Sequence, residues 1–524
     1  MNFSPFSRIL GPRDEYGNLV LPPRTISGVS STLEALPTPL LRLPRVLALK
    51  FTTGLRALEG IREDFLIALP REGIEMHLGP PVVEPLRVLV IGSGIAGLSC
   101  AIACARQNFA VTVLERSTIR NNFGDSIILG SNASLLFHRW GILDDMSERS
   151  TKNKDWIVND STGKELHRED VFSIAEKFGS PLLQGKRNAF TCIMDHEARR
   201  LGVDFRYDAE VTGYSDSQIQ PGVMLRGGEM VRGDVVIVCD GAKSSARRLM
   251  ADDESVSTPR QPSGYAIHRA IISSKEIKND PSCSYLADGN IRFFLGENCH
   301  AEIWPLDNAS QLAFTFTYLD SNNSSTLNWR STTPISTCLR MMKGWDPTLI
   351  AAVAKFSRTH CWTLLEDSVE PSWVSKGRRI VFAGDAVHPL SPASFQAGTQ
   401  AVEDGSTLAL CLSLAGAKPE KVSLALRVYE RLRSARAERA GELGRQQQQL
   451  LHTFVSRINS QDPEQPPLDP TLSPRPLNFE PYSFDADEFA ISNFEQVAKE
   501  IEAEEQKKSP SKGGFTSRYF AETF

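Results

Sequence analysis

The chain has 524 residues, 41% hydrophobic and 23% charged, with a formal net charge of −5. That length accommodates two or three domains with sizeable cores, and the mild acidity excludes a nucleic-acid binder that works through a basic surface. No apolar run reaches the roughly 18 residues of a membrane span, and the N-terminus lacks the short apolar core of a signal peptide. Nine scattered cysteines without a CxxC pair point to a reduced, cytoplasmic setting.

Residues 1–84 form an N-terminal extension, Pro/Ser/Thr-punctuated except for one stretch. There Leu47, Phe51, Leu55, Leu58, Ile61 and Phe65 recur at helical spacing, with Lys50, Arg56 and Arg62 between them. The spacing predicts an amphipathic helix that docks on the main body or on a membrane surface, weakened by Gly54 and Gly60.

From 85 to 260 the pattern is α/β. Val88 to Ile91 reads as a buried parallel strand, followed by Gly92-Ser93-Gly94-Ile95-Ala96-Gly97 and an alanine-rich helical segment. The first glycine suits a tight turn, the second a close approach to a pyrophosphate, the third helix packing on the strand. A second strand, Ala110 to Leu114, ends in Glu115, 23 residues after Gly92, where a carboxylate can accept from a ribose hydroxyl. An acid in that position disfavours a 2′-phosphate. A glycine turn that served only helix packing would leave Glu115 without a reason. Further helical segments are expected at Asn132–Trp140 and Asp195–Leu201, and a strand at Val235–Val238 that runs into Asp240-Gly241-Ala242-Lys243-Ser244-Ser245-Ala246-Arg247.

Residues 261–358 change rhythm to alternating strands, Tyr265–Ile272, Ile291–Phe294, Ala301–Trp304 and Leu312–Thr317, which predict an antiparallel second domain. Helical patterning returns at Ile335–Lys343 and Pro347–Phe356. Residues 359–456 return to the first domain: strand Arg379–Phe382 enters Ala383-Gly384-Asp385-Ala386-Val387-His388-Pro389 and long helices follow. An aspartate at such a turn can accept a ribitol hydroxyl, and the next helix N-terminus favours electron-rich groups. Residues 457–524 are expected to be a Pro-rich linker and a mostly disordered tail, with one acidic helix over Glu495–Gln506.

The order GxGxxG, DGxxSxxR, GDAxHPxxP resembles the flavoprotein monooxygenases that hydroxylate aromatic rings, the fungal salicylate-hydroxylase-like branch especially, over about Leu86 to Ser456. Lesser echoes are His138 to Asp145, Trp304-Pro305-Leu306 and Ala425 to Glu430. The resemblance implies a Rossmann-type FAD-binding domain with an inserted antiparallel β-sheet substrate domain and C-terminal helices, α/β overall. It implies that Gly92, Gly94, Ala96, Gly97, Glu115 and the adjoining Arg116 hold the ADP half of FAD. Arg187, Asp240 and Gly241 would then lie near the cofactor. Asp385 would bind the ribitol, and Gly384 and Pro392 would shape its loop.

The chain also departs from the family pattern. Ser126 stands for a family glycine and Leu135 for a frequent arginine. Ala397-Gly398-Thr399 replaces a Gly-x-Asn, with Gly398 expected to restore the turn. The reaction implied is monooxygenation of a small phenolic or polyketide-like aromatic substrate with O₂, FAD being reduced by NAD(P)H that visits without a fold of its own. Removing a phenolic proton favours such a reaction, and a histidine suits that task. His268 is accordingly expected as the base, with Arg269 stabilising an anion; a structural histidine on a strand is the competing reading. No His/Cys/Asp spacing suggests a metal, and no GxSxG suggests a hydrolase. An epoxidase or oxidase on the same fold, or a catalytically idle FAD-fold binding protein, stays open at this stage.

Overall fold

A computed structural model describes residues 84–118, 126–152, 154–170, 172–249, 260–321, 325–326, 328, 330–366, 372–458, 474 and 480–508. The helix expected over 47–65 and the Pro-rich linker lie outside the described residues. Strand Arg87–Ile91 is apolar and largely β-branched after its first residue, a pattern that suits a strand covered on both faces. It occupies the centre of a five-stranded parallel sheet in the order Ile380–Phe382, Val235–Val238, Arg87–Ile91, Ala110–Leu114, Asp204–Arg206. The strands that precede the three glycine motifs are therefore neighbours. Because they run parallel, Gly92, Asp240 and Asp385 all emerge at the carboxyl edge of one sheet, the usual place for a ligand in such folds. Helix Ile95–Arg106 covers one face and packs tightly on helix Ala397–Leu414: a Cβ on Gly405 would lie 2.6 Å from the Ser99 carbonyl carbon.

The second sheet has eight strands, in the order Thr332–Pro334, Arg358–Glu366, Gln261–Ser273, Gln311–Leu319, Cys299–Leu306, Ile291–Gly296, Asp155–Asp160, Glu165–Asp170. Neighbours are antiparallel except Ile291–Gly296 with Asp155–Asp160. The expected limits of 261–358 are thus too narrow at both ends. Glu165–Asp170 (ELHRED) is a polar edge strand with no apolar alternation to betray it, and Arg358–Glu366 straddles the expected boundary.

Each face of this sheet has its own covering. The outer face carries Phe294, Ile303, Phe314 and Phe316 against Ile277, Leu286, Met342 and Leu349. The inner face carries Trp156, Val158, Phe293, Trp304 and Ala313 against Leu451 and Phe454 of the 37-residue helix Val422–Ile458.

The acidic helix expected over Glu495–Gln506 is the second half of Ala486–Lys508. Ala486, Ala490, Phe494, Ala498 and Ile501 recur at helical spacing and are buried in the core of the parallel sheet, so residues 480–508 are not a disordered tail. Among the described residues no helix is long and apolar enough to cross a membrane, and no group of His, Cys, Asp and Glu side chains could hold a metal ion.

The long helix locks onto Ala397–Leu414 through charge. Arg433, 1% exposed, donates to Asp404 Oδ1 (2.9 Å), Glu403 Oε2 (2.5 Å) and Gln400 Oε1 (2.6 Å). Asp404 Oδ2 also accepts from the Gly384 N–H at 2.8 Å and from His388 Nε2 at 2.6 Å. Burial would raise the Asp404 carboxyl, but His388, Arg433 and these hydrogen bonds outweigh it and hold the group at about 2. Arg433→Leu takes the shared guanidinium from two buried carboxylates, leaving Glu403 with Arg436 and Asp404 with His388, and should cost about 3 kcal/mol in urea unfolding. A carboxyl depressed on folding stabilises above its ordinary value of 3.8, so the Asp404 contribution should be complete there and vanish as pH falls through about 2.

Candidate active site

Two of the three glycines in the first turn answer to the protein itself. Gly92 has φ +98°, and a Cβ there would lie 2.7 Å from the Cys239 carbonyl oxygen; a Cβ on Gly97 would lie 1.9 Å from the Gly92 oxygen. Gly94 differs. Its Cβ would meet only the Arg187 guanidinium, at 3.6 Å, so the space beside it is open. Gly94 is also the N-cap of helix Ile95–Arg106 with no side chain capping it. An uncapped helix N-terminus facing a guanidinium is suited to a pyrophosphate.

Glu115 lies at the end of the neighbouring strand. It accepts from the Ser93 N–H (2.9 Å), Ser93 Oγ (2.8 Å) and the Ser117 N–H (2.9 Å). Burial would raise its pKa; the hydrogen bonds from Ser117 and Ser93 reverse the sign, so it is held below its ordinary value. The Ser117 side chain also hydrogen-bonds to it, so a ribose hydroxyl would bind here by replacing one of these local donors. Arg116 beside it is exposed and opposes the upward shift of Asp240, which follows strand Val235–Val238 on the far side of Arg87–Ile91. Asp240 reaches solvent, yet burial of its carboxyl raises its pKa above the ordinary carboxylate value, against hydrogen bonds from Ser244 and Ser245. Gly241 borders open space.

Asp385 lies on the 3₁₀ turn Gly384–Ala386, half-buried and with no side-chain partner among the described residues. A Cβ on Gly384 would sit 2.7 Å from that of Ala96, which brings the first and third motifs into contact. The cradle therefore offers an open, uncapped helix N-terminus flanked by one ionised acceptor and one unpartnered carboxylate. That donor and acceptor set fits FAD, with phosphates at its middle and hydroxylated chains to either side.

Beyond Asp385 the loop is fastened from outside. The His388 ring lies 4.9 Å from that of Trp373, Ser391 Oγ donates to Gln448 Oε1 at 2.6 Å, and Pro392 opens a 3₁₀ turn that ends at Phe395. The turn expected at Gly398 is made instead by Phe395, whose φ of +51° is left-handed and costs about 1–3 kcal/mol of backbone strain. Its ring packs between Trp156 (5.5 Å), Trp304 (5.8 Å) and Phe293 (6.3 Å), which offsets that strain. Gly398 is helical, and its missing side chain makes room for Ile127 and Leu129. Ala397 begins the helix, again without a side-chain cap.

The departures from the family pattern take structural places. The Thr399 hydroxyl accepts from the Gly130 N–H at 2.9 Å and joins two helix starts. Ser126 is buried opposite Lys186, and Leu135 is half-buried on helix Ser131–Trp140.

The expected pair His268 and Arg269 is split across the sheet, as consecutive strand residues must be. His268 is fully buried on the outer face, stacked on Tyr318, with Nδ1 2.8 Å from Thr359 Oγ1 and Nε2 3.6 Å from Cys361 Sγ. Burial pushes it down to about 4. It occupies the place of a core histidine, and the expectation of a base is corrected. Arg269 is on the inner face, in register with Thr315 and His360.

Sequence reasoning missed the inner-face group of His300, Glu302 and His452. His300 and Glu302 are two apart on one strand, which alternation could have revealed; His452 lies 152 residues away with no sequence signal.

Gly94→Val should leave the apoprotein melting as wild type and weaken FAD binding at least tenfold, about 1.4 kcal/mol, read by fluorescence titration. Gly97→Ala should destabilise the apoprotein itself, since its clash is with backbone. His268→Ala should lower the melting temperature yet leave the pH profile of turnover unmoved, as expected of a core position.

The family described as FAD binding domain matches residues 85–443 of this chain. FAD-dependent monooxygenase nanF of Aspergillus nanangensis is 30% identical over 382 residues, covering 68% of this chain and 79% of that protein. Asperlicin C monooxygenase of Petromyces alliaceus is 28% identical, covering 68% and 78%. The crystal structure of CtdE in complex with FAD and substrate 4 superposes with a TM-score of 0.71 at 25% identity, over 80% of this chain and all of that one. A cradle that fits FAD and a match across most of the chain agree: this protein belongs to the FAD binding domain family and is an FAD-dependent monooxygenase.

Proposed function

We propose that the enzyme uses NAD(P)H and O₂ to hydroxylate a phenolic or polyketide-like aromatic ring in fungal-type secondary metabolism. The observation that carries this reading is the inner face of the eight-stranded sheet. It brings Trp156, Phe293 and Trp304 against Phe395, and Phe395 belongs to the loop that follows the Asp385 turn. Aromatic rings beside the cofactor loop suit a planar, apolar substrate.

FAD, held by the Gly94 turn, Glu115 and Asp385, supplies the redox chemistry when bound. The chain's own residues do the rest. Strand residues of the inner face orient the ring, the packed loop 391–395 excludes water, and Arg269 on the same face stabilises negative charge on the substrate. One dinucleotide fingerprint serves FAD, so the nicotinamide donor binds transiently at the open edge near Asp240 and Gly241.

The test is anaerobic addition of NADPH and NADH separately to the FAD-loaded protein, followed by oxygen uptake with a panel of phenols and polyketide-like aromatics. Bleaching of the flavin by one donor, and a product heavier by one oxygen atom, are expected. Absence of uptake across the panel, with FAD bound and bleached, would overturn the aromatic reading. Arg269→Gln should raise KM for an anionic substrate about tenfold or more, the worth of a charged hydrogen bond, and leave anaerobic bleaching unchanged.

A further inference from the structure

Glu302 occupies the middle of the inner face. It is in register with Thr315, and Thr315 with Arg269, so the three side chains form one row across adjacent strands. Glu302, 4% exposed, has no Lys or Arg within ion-pair distance among the described residues. A buried carboxylate without a cation is costly and points to a function.

Its support is a chain of imidazoles. His300 Nε2 lies 3.2 Å from Glu302 Oε1, and His300 Nδ1 lies 2.8 Å from His452 Nε2. With the carboxylate ionised and both rings neutral, one arrangement of protons satisfies both contacts: His300 donates to Glu302, and His452 donates to His300. Burial, with His300 close by, holds His452 down at about 2, so it stays neutral. Among the buried donors on the same face that lack acceptors, two lie nearest Glu302 in register: Thr315 Oγ1 in the same row and Trp304 Nε1 two residues along the strand, each residue 2% exposed. Buried donors left unpaired in the protein are suited to a ligand oxygen.

We propose that Glu302 is the base that takes the proton of the substrate's ring hydroxyl, positioned by His300 and His452; this rests on the aromatic-hydroxylation reading above. The O–H bond breaks, its electron pair stays on the ring oxygen, and the proton converts the Glu302 carboxylate to the acid. The new phenolate oxygen accepts from Thr315 Oγ1–H and Trp304 Nε1–H, and Glu302 returns the proton to the product oxygen. The substrate class is therefore a ring with a free hydroxyl, not a fully alkylated ether. Other titratable or charged groups facing this site are Tyr265 and Arg269 on strand Gln261–Ser273 and His360 on the strand beyond it.

The test uses the full chain loaded with FAD, without donor or O₂, and 4-nitrophenol as the probe, whose phenolate is coloured. Bound to wild type, the probe should show its phenolate band about one pH unit below the pH at which the free dye ionises. Glu302→Gln should lose that band about tenfold and keep FAD and its melting temperature. Glu302→Asp should restore part of it. His452→Phe should weaken the band and shift its pH dependence, a readout that mere packing would not move. If Glu302→Gln does not fold, Thr315→Val, which removes one of the two donors, should weaken the band on its own. A wild-type complex without the phenolate band, or a band unchanged in the variants, overturns the proposal. Since no turnover is required, that failure is separate from a failure to hydroxylate.

Discussion

The interaction on which the most elements depend is the buried pairing of Arg433 with Asp404 and Glu403. One guanidinium holds two helices together. The carboxylate it fixes then reaches the Gly384 N–H and the His388 ring, and so sets the turn that presents Asp385. Glu403 in turn accepts from Asn132 at 2.6 Å and from Arg436 at 2.6 Å, which fastens the helix after Gly130 to the same point. A cluster of this kind is expensive to desolvate and is weak evidence for stability as such. Its geometric value is that the carboxyl edge of the parallel sheet and the loop beyond Asp385 share one rigid anchor.

The glycine motifs and their strands were legible because each obeys a local rule. A β-branched run, a turn residue and a helix start leave a trace within a dozen residues, and parallel pairing then brings the three motifs to one edge. What escaped notice was decided by tertiary packing. Glu165–Asp170 has a single apolar residue, Leu166, too little for an alternating pattern to separate it from a loop. Phe395 takes a left-handed turn that sequence reasoning assigned to Gly398, because three aromatic rings from another sheet hold it there. His268 was assigned the wrong face. Alternation says that His268 and Arg269 diverge, but only the register against Phe316 and Thr315 says which of them turns inward.

The two sheets divide the work by chemistry. The parallel sheet offers strand ends, helix N-termini and acidic acceptors, which suit phosphates and sugar hydroxyls. The antiparallel sheet offers a broad face of side chains, which suits a flat ring. The departures at Ser126, on a separate two-stranded sheet with Leu183–Lys186, and at Thr399, on helix Ala397–Leu414, serve as packing and hydrogen-bonding partners and leave the open space beside Gly94 untouched.

The helix Val422–Ile458 carries Gln448 and His452 one turn apart. Gln448 holds Ser391 of the loop after Asp385, and His452 holds His300 of the antiparallel sheet. A helix is stiff along its axis and advances about 100° per residue. An insertion or deletion of a single residue between these two would swing one contact to the wrong side of the rod while leaving the other in place. The spacing of four thus works as a gauge block. It sets the separation between the loop after Asp385 and the inner face of the antiparallel sheet, so this one turn tolerates no change of length even where the surrounding loops could.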